Sequence, residues 1–274
     1  MRRAWRGRTA GAPRGVALPA IRSSPAIVLR SWAYGESDKI VSFLTRDFGK
    51  IRGIAKGARR SRKRFLNVLE PFTLVQLRFH ERPHSPLAFV HACDWVYVFR
   101  AIARDLAKIA YASYLVEITD ELTREGDDSL SLFDHLRAGL RFLEENAASP
   151  GFLTAFELTL LRFAGFQPFL ERCQRCGRGP GGDNGQGSVR WGFSPADGGV
   201  LCHACRDYRR EAVPLSAEAL GVLTHIQRHG WTEGEAPASL QPALREARAL
   251  MPLFIQYQIS KKLKSAAFLD GPFR

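Results

Sequence analysis

Two Cys-x-x-Cys pairs, Cys173-Gln-Arg-Cys176 and Cys202-His-Ala-Cys205, constrain this chain more tightly than any other feature of it. Each pair forms a knuckle that turns both thiolates toward one centre, and two knuckles supply the four sulfurs of a closed tetrahedral zinc site. The gap between them carries Gly177, Gly179, Gly181, Gly182, Gly185 and Gly187, so the second knuckle can fold back on the first. Gly177, directly after Cys176, suits the positive φ of a knuckle turn. Two disulfides are the competing use of the same four residues, although the fifth cysteine, Cys93, lies in an apolar stretch as a reduced core thiol would. With Cys173, Cys176, Cys202 and Cys205 all bound, no position is left for water or substrate, so a zinc ion here is structural. His203 offers a substitute ligand but reads more simply as an exposed knuckle residue.

Residues 25–98 read as short strands. Ala26–Leu29 and Lys39–Leu44 are compact β runs, and Gly49–Ile54 alternates apolar and polar residues as a half-buried strand does. Phe72–Phe79 is a fourth run, and Leu87–Val90 continues into Asp94–Val98 as a fifth. Such a series predicts a small Greek-key barrel, of the OB type or of the SH3 or Tudor type; the pattern fits both.

From Arg100 the apolar period changes from two to about four. Ile102, Leu106, Ala110, Tyr114, Ile118 and Leu122 make one helical face, broken at Glu125-Gly-Asp-Asp128. Leu132, Leu136, Leu140 and Leu143 stripe a second helix. Ser149-Pro150 caps a third, which carries Phe152, Phe156, Leu160 and Phe163 and ends at Gly165. Ser216 caps a fourth through His225, and Gln241-Pro242 starts a fifth running toward Lys264. The expectation is an α+β multidomain chain. It has a basic tail at 1–24, a five-stranded OB-fold β-barrel at 25–98 and an α-helical domain over 99–170 and 211–274. A zinc-finger-like module built on the four paired cysteines is inserted at 171–210.

The chain carries 40 Lys and Arg against 27 Asp and Glu, a net charge of +13. Part of the excess is Arg2, Arg3, Arg6, Arg8, Arg14 and Arg22 in the tail, which reads as disordered and inessential. The rest is concentrated between the third and fourth strands, in Lys56, Arg59, Arg60, Arg62, Lys63 and Arg64, with Lys50 and Arg52 just before them. Without a polyanion nearby these charges repel one another, and a stripe of this kind neutralises phosphates without choosing a sequence. Phe48 and Phe65 flank the run; each suits core packing better than base stacking. No apolar run approaches the roughly 18 residues of a membrane span. The chain has no P-loop, no Gly-x-Ser-x-Gly elbow and no His-Glu-x-x-His helix, so it reads as a binding protein with no enzymatic site.

Tyr34-Gly-Glu-Ser-Asp38, Thr45, Gly49-Lys50, Ala55-Lys-Gly-Ala-Arg59 and Leu69-Glu-Pro-Phe72 resemble the opening of the bacterial RecO family of DNA repair proteins. Phe156-Glu157, Leu160-Leu161, Gly165, Pro168, Phe193-Ser194, Gly198-Gly199 and the two Cys pairs continue the resemblance in order, from about Pro25 to Phe268. It implies an OB-fold followed by a helical domain with a zinc-binding insertion. It implies binding to single- and double-stranded DNA, annealing of complementary strands, and work with RecR in loading RecA onto DNA coated with single-strand binding protein. That would place the protein in the bacterial cytoplasm, at the nucleoid. A site for the acidic tail of the single-strand binding protein is also implied in the helical domain. Phe254 and Tyr257, beside Lys261, Lys262 and Lys264, offer an apolar face edged by cations for it, although an ordinary core helix has the same pattern. The alternative function is a zinc-ribbon transcription or RNA-binding factor.

Overall fold

A computed structural model describes residues 20–61, 63–124, 129–179, 191–209, 211–231 and 238–269. The expected break at Glu125–Asp128, Arg62, most of the glycine-rich gap and nearly all of the basic tail lie outside these residues. Five strands form the first unit: β1 (Arg22–Tyr34), β2 (Asp38–Thr45), β3 (Gly49–Ala55), β4 (Leu74–His80) and β5 (Ala88–Tyr97). They close in the order β1-β2-β3-β5-β4, with β3 and β5 parallel and every other neighbour antiparallel. This is the OB-type Greek-key barrel. Closure depends on β1, whose Arg22–Ile27 pair with β4 while Ala26–Tyr34 pair with β2. A register shift between Val28 and Arg30 marks a bulge, which lets one long strand bend from one sheet partner to the other.

The barrel interior is filled by fully buried side chains, among them Val28, Phe43, Val75, Leu77, Phe79 and Val90. Gly53 has no alternative where β3 meets β5, because a Cβ there would sit 2.5 Å from Val90 Cγ2. Two boundaries differ from expectation. Pairing of β1 with β4 holds the chain from Arg22, so the barrel takes in residues assigned to the tail. Phe72 lies outside β4, since its φ of +54° turns the chain and its N–H donates to Val28 O at 2.9 Å.

Next come α1 (Arg100–Arg104), α2 (Leu106–Leu122), α3 (Ser129–Glu145) and α4 (Pro150–Phe163). The Cys-containing module adds β6 (Trp191–Ser194), β7 (Gly199–Leu201), α5 (His203–Arg206) and β8 (Val213–Leu215). The chain ends with α6 (Ala217–His229), α7 (Gln241–Ile259) and α8 (Ala266–Leu269). Ser149 and Ser216 cap α4 and α6 as expected, accepting from the N–H groups of Phe152 and Ala219. The expected stripe from Ile102 to Leu122 is instead split between two helices. Asp105 ends α1 and caps α2, its Oδ1 accepting from Ala107 and Lys108, which leaves Leu106 exposed. Helix α7 stops at Ile259, short of Lys264, because Ser260 takes a left-handed conformation (φ 52°).

The helices and the Cys module share one hydrophobic core. Leu170, Trp191, Phe193, Leu201 and Leu215 continue the apolar interior built by α2, α3, α4, α6 and α7. A buried polar triad ties three of these helices together: Glu157 of α4 accepts from Arg248 of α7 at 3.0 Å and from the Tyr114 hydroxyl of α2. Outward-facing Ile27, Leu29, Leu44 and Leu74 of the barrel join the same core. At that junction Asp120 of α2 accepts from Ser42 Oγ at 2.9 Å and pairs with Lys50 Nζ at 2.9 Å and Arg30 Nε at 3.5 Å. Lys50 also donates to the Asp120 and Thr123 carbonyls. Its side chain is only 11% exposed. The assignment of Lys50 to a DNA surface is therefore corrected: it clamps the barrel to the helices.

Removing one partner of a buried ion pair strands the other, at a cost of about 3–5 kcal/mol. Because Asp120 keeps Arg30 and Ser42, Lys50→Met should lower the denaturation free energy by less than that and leave the salt dependence of DNA binding unchanged. Urea titration and binding isotherms read the two effects separately.

Candidate metal centre and nucleic-acid interface

The two knuckles meet because the chain before the first pairs with the strand before the second. Phe169 N–H donates to Gly198 O at 2.9 Å, Val200 N–H to Phe169 O at 3.0 Å, and Gln174 N–H to Val200 O at 2.9 Å. Gly199 is required at this approach, as a Cβ would lie 2.5 Å from Phe169 O. Gly177 has the positive φ expected of it, +73°, and its N–H donates to Cys173 O. In the second knuckle the N–H groups of Cys205 and Arg206 donate to Cys202 O.

The four Sγ atoms of Cys173, Cys176, Cys202 and Cys205 lie within 4.8 Å of one another, and those of Cys176 and Cys202 are 3.6 Å apart. Sulfurs about 2.3 Å from a tetrahedral ion sit about 3.8 Å from each other, so the set fits a four-coordinate metal. A disulfide needs about 2.05 Å, and all four cysteines are free thiols. The fifth cysteine is inert: Cys93 is buried in the barrel, and burial pushes its thiol far up. Desolvation also raises Cys173, but the N–H groups of Cys176, Cys202 and Arg175 outweigh it and bring that thiol to about 6. Desolvation and the crowding of the other thiols push Cys205 up to about 12. Four sulfurs this close shed their protons together only around a cation. Among the described residues His203 is not part of the cluster.

The module is seated on the helices. Phe193 of β6 packs edge-on against Phe254 of α7, with centroids 5.2 Å apart. Glu246 of α7 accepts from Ser216 N–H at 2.7 Å and Ser216 Oγ at 2.6 Å, just after β8.

The basic segment is fixed at both ends to the barrel. Gly57 N–H donates to Asp38 Oδ1 at 2.8 Å, and that amide, with the Ser37 hydroxyl, holds the Asp38 carboxyl below its usual range. Arg59 N–H donates to Ser37 O, and its guanidinium to the carbonyls of Gly35 and Glu36. Arg64 donates to Lys56 O at 3.0 Å, and Phe65, Val68 and Leu69 bury themselves in the barrel core. Lys56, Arg60, Lys63 and, on β3, Arg52 are exposed, and among the described residues none of them has a carboxylate within ion-pair distance. Phe65 lies in the core as expected, with Arg64 over its ring, whereas Phe48 is exposed and packs on Phe79 at the other end of the barrel, under Arg22. On β1, by contrast, Trp32 and Tyr34 stand exposed.

The proposed peptide face on α7 is not intact. Phe254 is 1% exposed and packed on Phe193, which removes it from any surface. Tyr257 is exposed, Lys261 pairs with Glu121 at 2.5 Å, and Lys262 and Lys264 are exposed beyond the helix end. Lys264 instead lines, with Arg30, Leu29, Phe72, Val116 and Asp120, a groove of about 530 Å³ between barrel and helices. No helix among the described residues is long and apolar enough to cross a membrane.

Two family models match the chain: "Recombination protein O N terminal" over residues 21–99 and "Recombination protein O C terminal" over residues 103–267. Proteins named DNA repair protein RecO are similar along nearly their full length. One from Anaeromyxobacter dehalogenans (strain 2CP-C) is 39% identical over 248 residues, covering 90% of this chain and 95% of the relative. One from Myxococcus xanthus is 38% identical over 245 residues (89% and 95%), and one from Moorella thermoacetica 30% over 254 residues (92% of each).

Metal binding in such a site acts as folding energy. Cys173→Ser should therefore reduce bound metal, measured by elemental analysis, and lower the melting temperature. Chelation of the unaltered chain should reproduce the loss of stability and leave the variant nearly unaffected. A variant that keeps both metal and melting temperature would contradict the assignment.

Proposed function

The chain belongs to the RecO family of DNA repair proteins, and from that membership we propose that it is a recombination mediator that binds DNA and anneals complementary strands. In this reading it cooperates with RecR to load RecA onto single-stranded DNA coated with single-strand binding protein, in the cytoplasm at the nucleoid. The observation that carries the DNA-binding core of the proposal is the run of exposed cations at Lys56, Arg60 and Lys63, joined by Arg52 on β3, none of which has a carboxylate within ion-pair distance among the described residues. Phosphates that neutralise these groups release their counterions, giving affinity that is steep in salt and indifferent to sequence. Arg59 and Arg64 add positive field while bracing the loop through carbonyl contacts, and Arg62 belongs to the same run in sequence. Annealing asks for no nucleophile: screening phosphate repulsion and holding two strands together raises their effective concentration.

Zinc is the metal that four thiolates in a tetrahedral arrangement suit best, and its role is structural because no coordination position remains open. For the acidic tail of the single-strand binding protein, the groove between Arg30 and Lys264 is a better host than the α7 face. Its lining is largely apolar, which suits a terminal apolar side chain, and Lys264 is the lining cation left for an acidic residue before it, Arg30 being paired with Asp120 and Glu121. Dependence on RecR rests on family membership alone.

Two measurements test the proposal. The protein should accelerate annealing of complementary oligonucleotides coated with single-strand binding protein without ATP, and the acceleration should vanish when the coat protein lacks its acidic tail. Replacing Arg52, Arg60 and Lys63 by Ala should weaken single-strand binding and flatten the slope of log affinity against log salt by about 2, at about 0.7 per phosphate contact. An unchanged slope would move the interface elsewhere on the protein.

A further inference from the structure

On β1, Arg30, Trp32 and Tyr34 alternate and so share one face of the strand. Opposite Arg30 in register lies Ser42, and opposite Ser42 lies Arg52; opposite Trp32 lies Ile40, and beyond it Ile54. Trp32 is 38% exposed and Tyr34 53%. Aromatic rings gain from burial, yet these two are left at the surface on the same sheet face as Arg52. The turn directly after Tyr34 is the one to which the basic loop is tied, through Arg59 and the carbonyls of Gly35, Glu36 and Ser37. Flat apolar faces therefore share a sheet face with Arg52, which has no carboxylate within ion-pair distance among the described residues, and border the turn that anchors the basic loop. A ligand that satisfies both offers ring faces and phosphates together.

We propose that Trp32 and Tyr34 form a base-stacking platform by which the barrel prefers single-stranded to double-stranded DNA, while Arg52, Arg60 and Lys63 take the phosphates. The proposal rests on the DNA-binding reading above and adds strand selectivity to it. Same-face positions on a strand are about 6.7 Å apart, close to twice the 3.4 Å spacing of stacked nucleotides along one DNA strand (about 6.8 Å). One base fits between the rings, or two successive bases take one ring each. Within a duplex the base faces are already stacked on their neighbours, so a duplex engages only the cations. Stacking of this kind tolerates any sequence, because every base has a π face.

The test compares the full chain with a Trp32→Ala, Tyr34→Ala double variant and with Trp32→Phe. Each is titrated with an oligo(dT), an abasic strand of the same length and charge, and a duplex, at several salt concentrations. The unaltered chain should bind oligo(dT) more tightly than the abasic strand. The double variant should lose roughly ten- to a hundredfold in oligo(dT) affinity, with abasic and duplex affinities and the salt slope preserved, and Trp32→Phe should retain most of the preference. Circular dichroism melting confirms that the variants are folded. Equal losses for all three ligands, or an unchanged ratio of oligo(dT) to abasic affinity, would overturn the platform while leaving the DNA-binding reading in place. Absence of salt-dependent DNA binding by the unaltered chain would remove that reading and the platform with it.

Discussion

Asp120 is the residue on which the relation between the two halves of the molecule depends. Its carboxylate, nearly buried on α2, gathers Ser42, Lys50 and Arg30 from three adjacent strands of the barrel. A charge in this position is expensive to desolvate and is tolerated only when paired and hydrogen-bonded. The barrel can therefore dock on α2 in one register only: sliding by a residue would separate the lysine from the carboxylate and leave both buried. Apolar contacts from Ile27, Leu29 and Leu44 supply area to the same junction but no such specificity. The outer face of β1–β3 is in this way divided between a covered part near Asp120 and an open part toward Trp32, Tyr34 and the basic loop.

The Cys module is joined to the helices by a different kind of contact. Its strands contribute Trp191, Phe193 and Leu215 to the helical core, so the module is a wall of that core and not an appendage on a tether. A metal held by the four sulfurs would thus be coupled to helical packing. Phe193 of β6 sits against Phe254, and the packing of α7 fixes β6 and β8 behind the knuckles.

Much of this was legible in the sequence because it rests on local rules. The Cys spacing, Gly177, and the Ser149 and Ser216 caps each act within a few residues, and the barrel strands follow from alternation over six to eight positions. What could not be read depends on pairing at long range. Lys50 looked like part of a basic surface because its partner stands seventy positions away at Asp120. Phe254 and Tyr257 are neighbours on one helix, yet one meets Phe193 and the other meets solvent. Asp105 divided an unbroken apolar stripe by capping, a choice that period alone cannot see. Phe48, the aromatic just before the basic run's strand, packs instead on Phe79 at the far end of the barrel, while Trp32 and Tyr34 stand exposed beside the turn that holds Arg59. Barrel closure between β1 and β4 and the parallel β3–β5 pair separates proximity along the chain from proximity in space.

The seating of β6 and β8 on α7 has a genetic corollary. A stop codon or frameshift early in the codons for α7, before Glu246, would leave all four cysteines encoded, and a scan for the metal motif would pass the gene as intact. Yet its product would lack the ring that covers Phe193 and the carboxylate that holds Ser216. Retention of the cysteines is thus an incomplete mark of a working module, and the distal part of the gene carries information about metal occupancy that the motif does not.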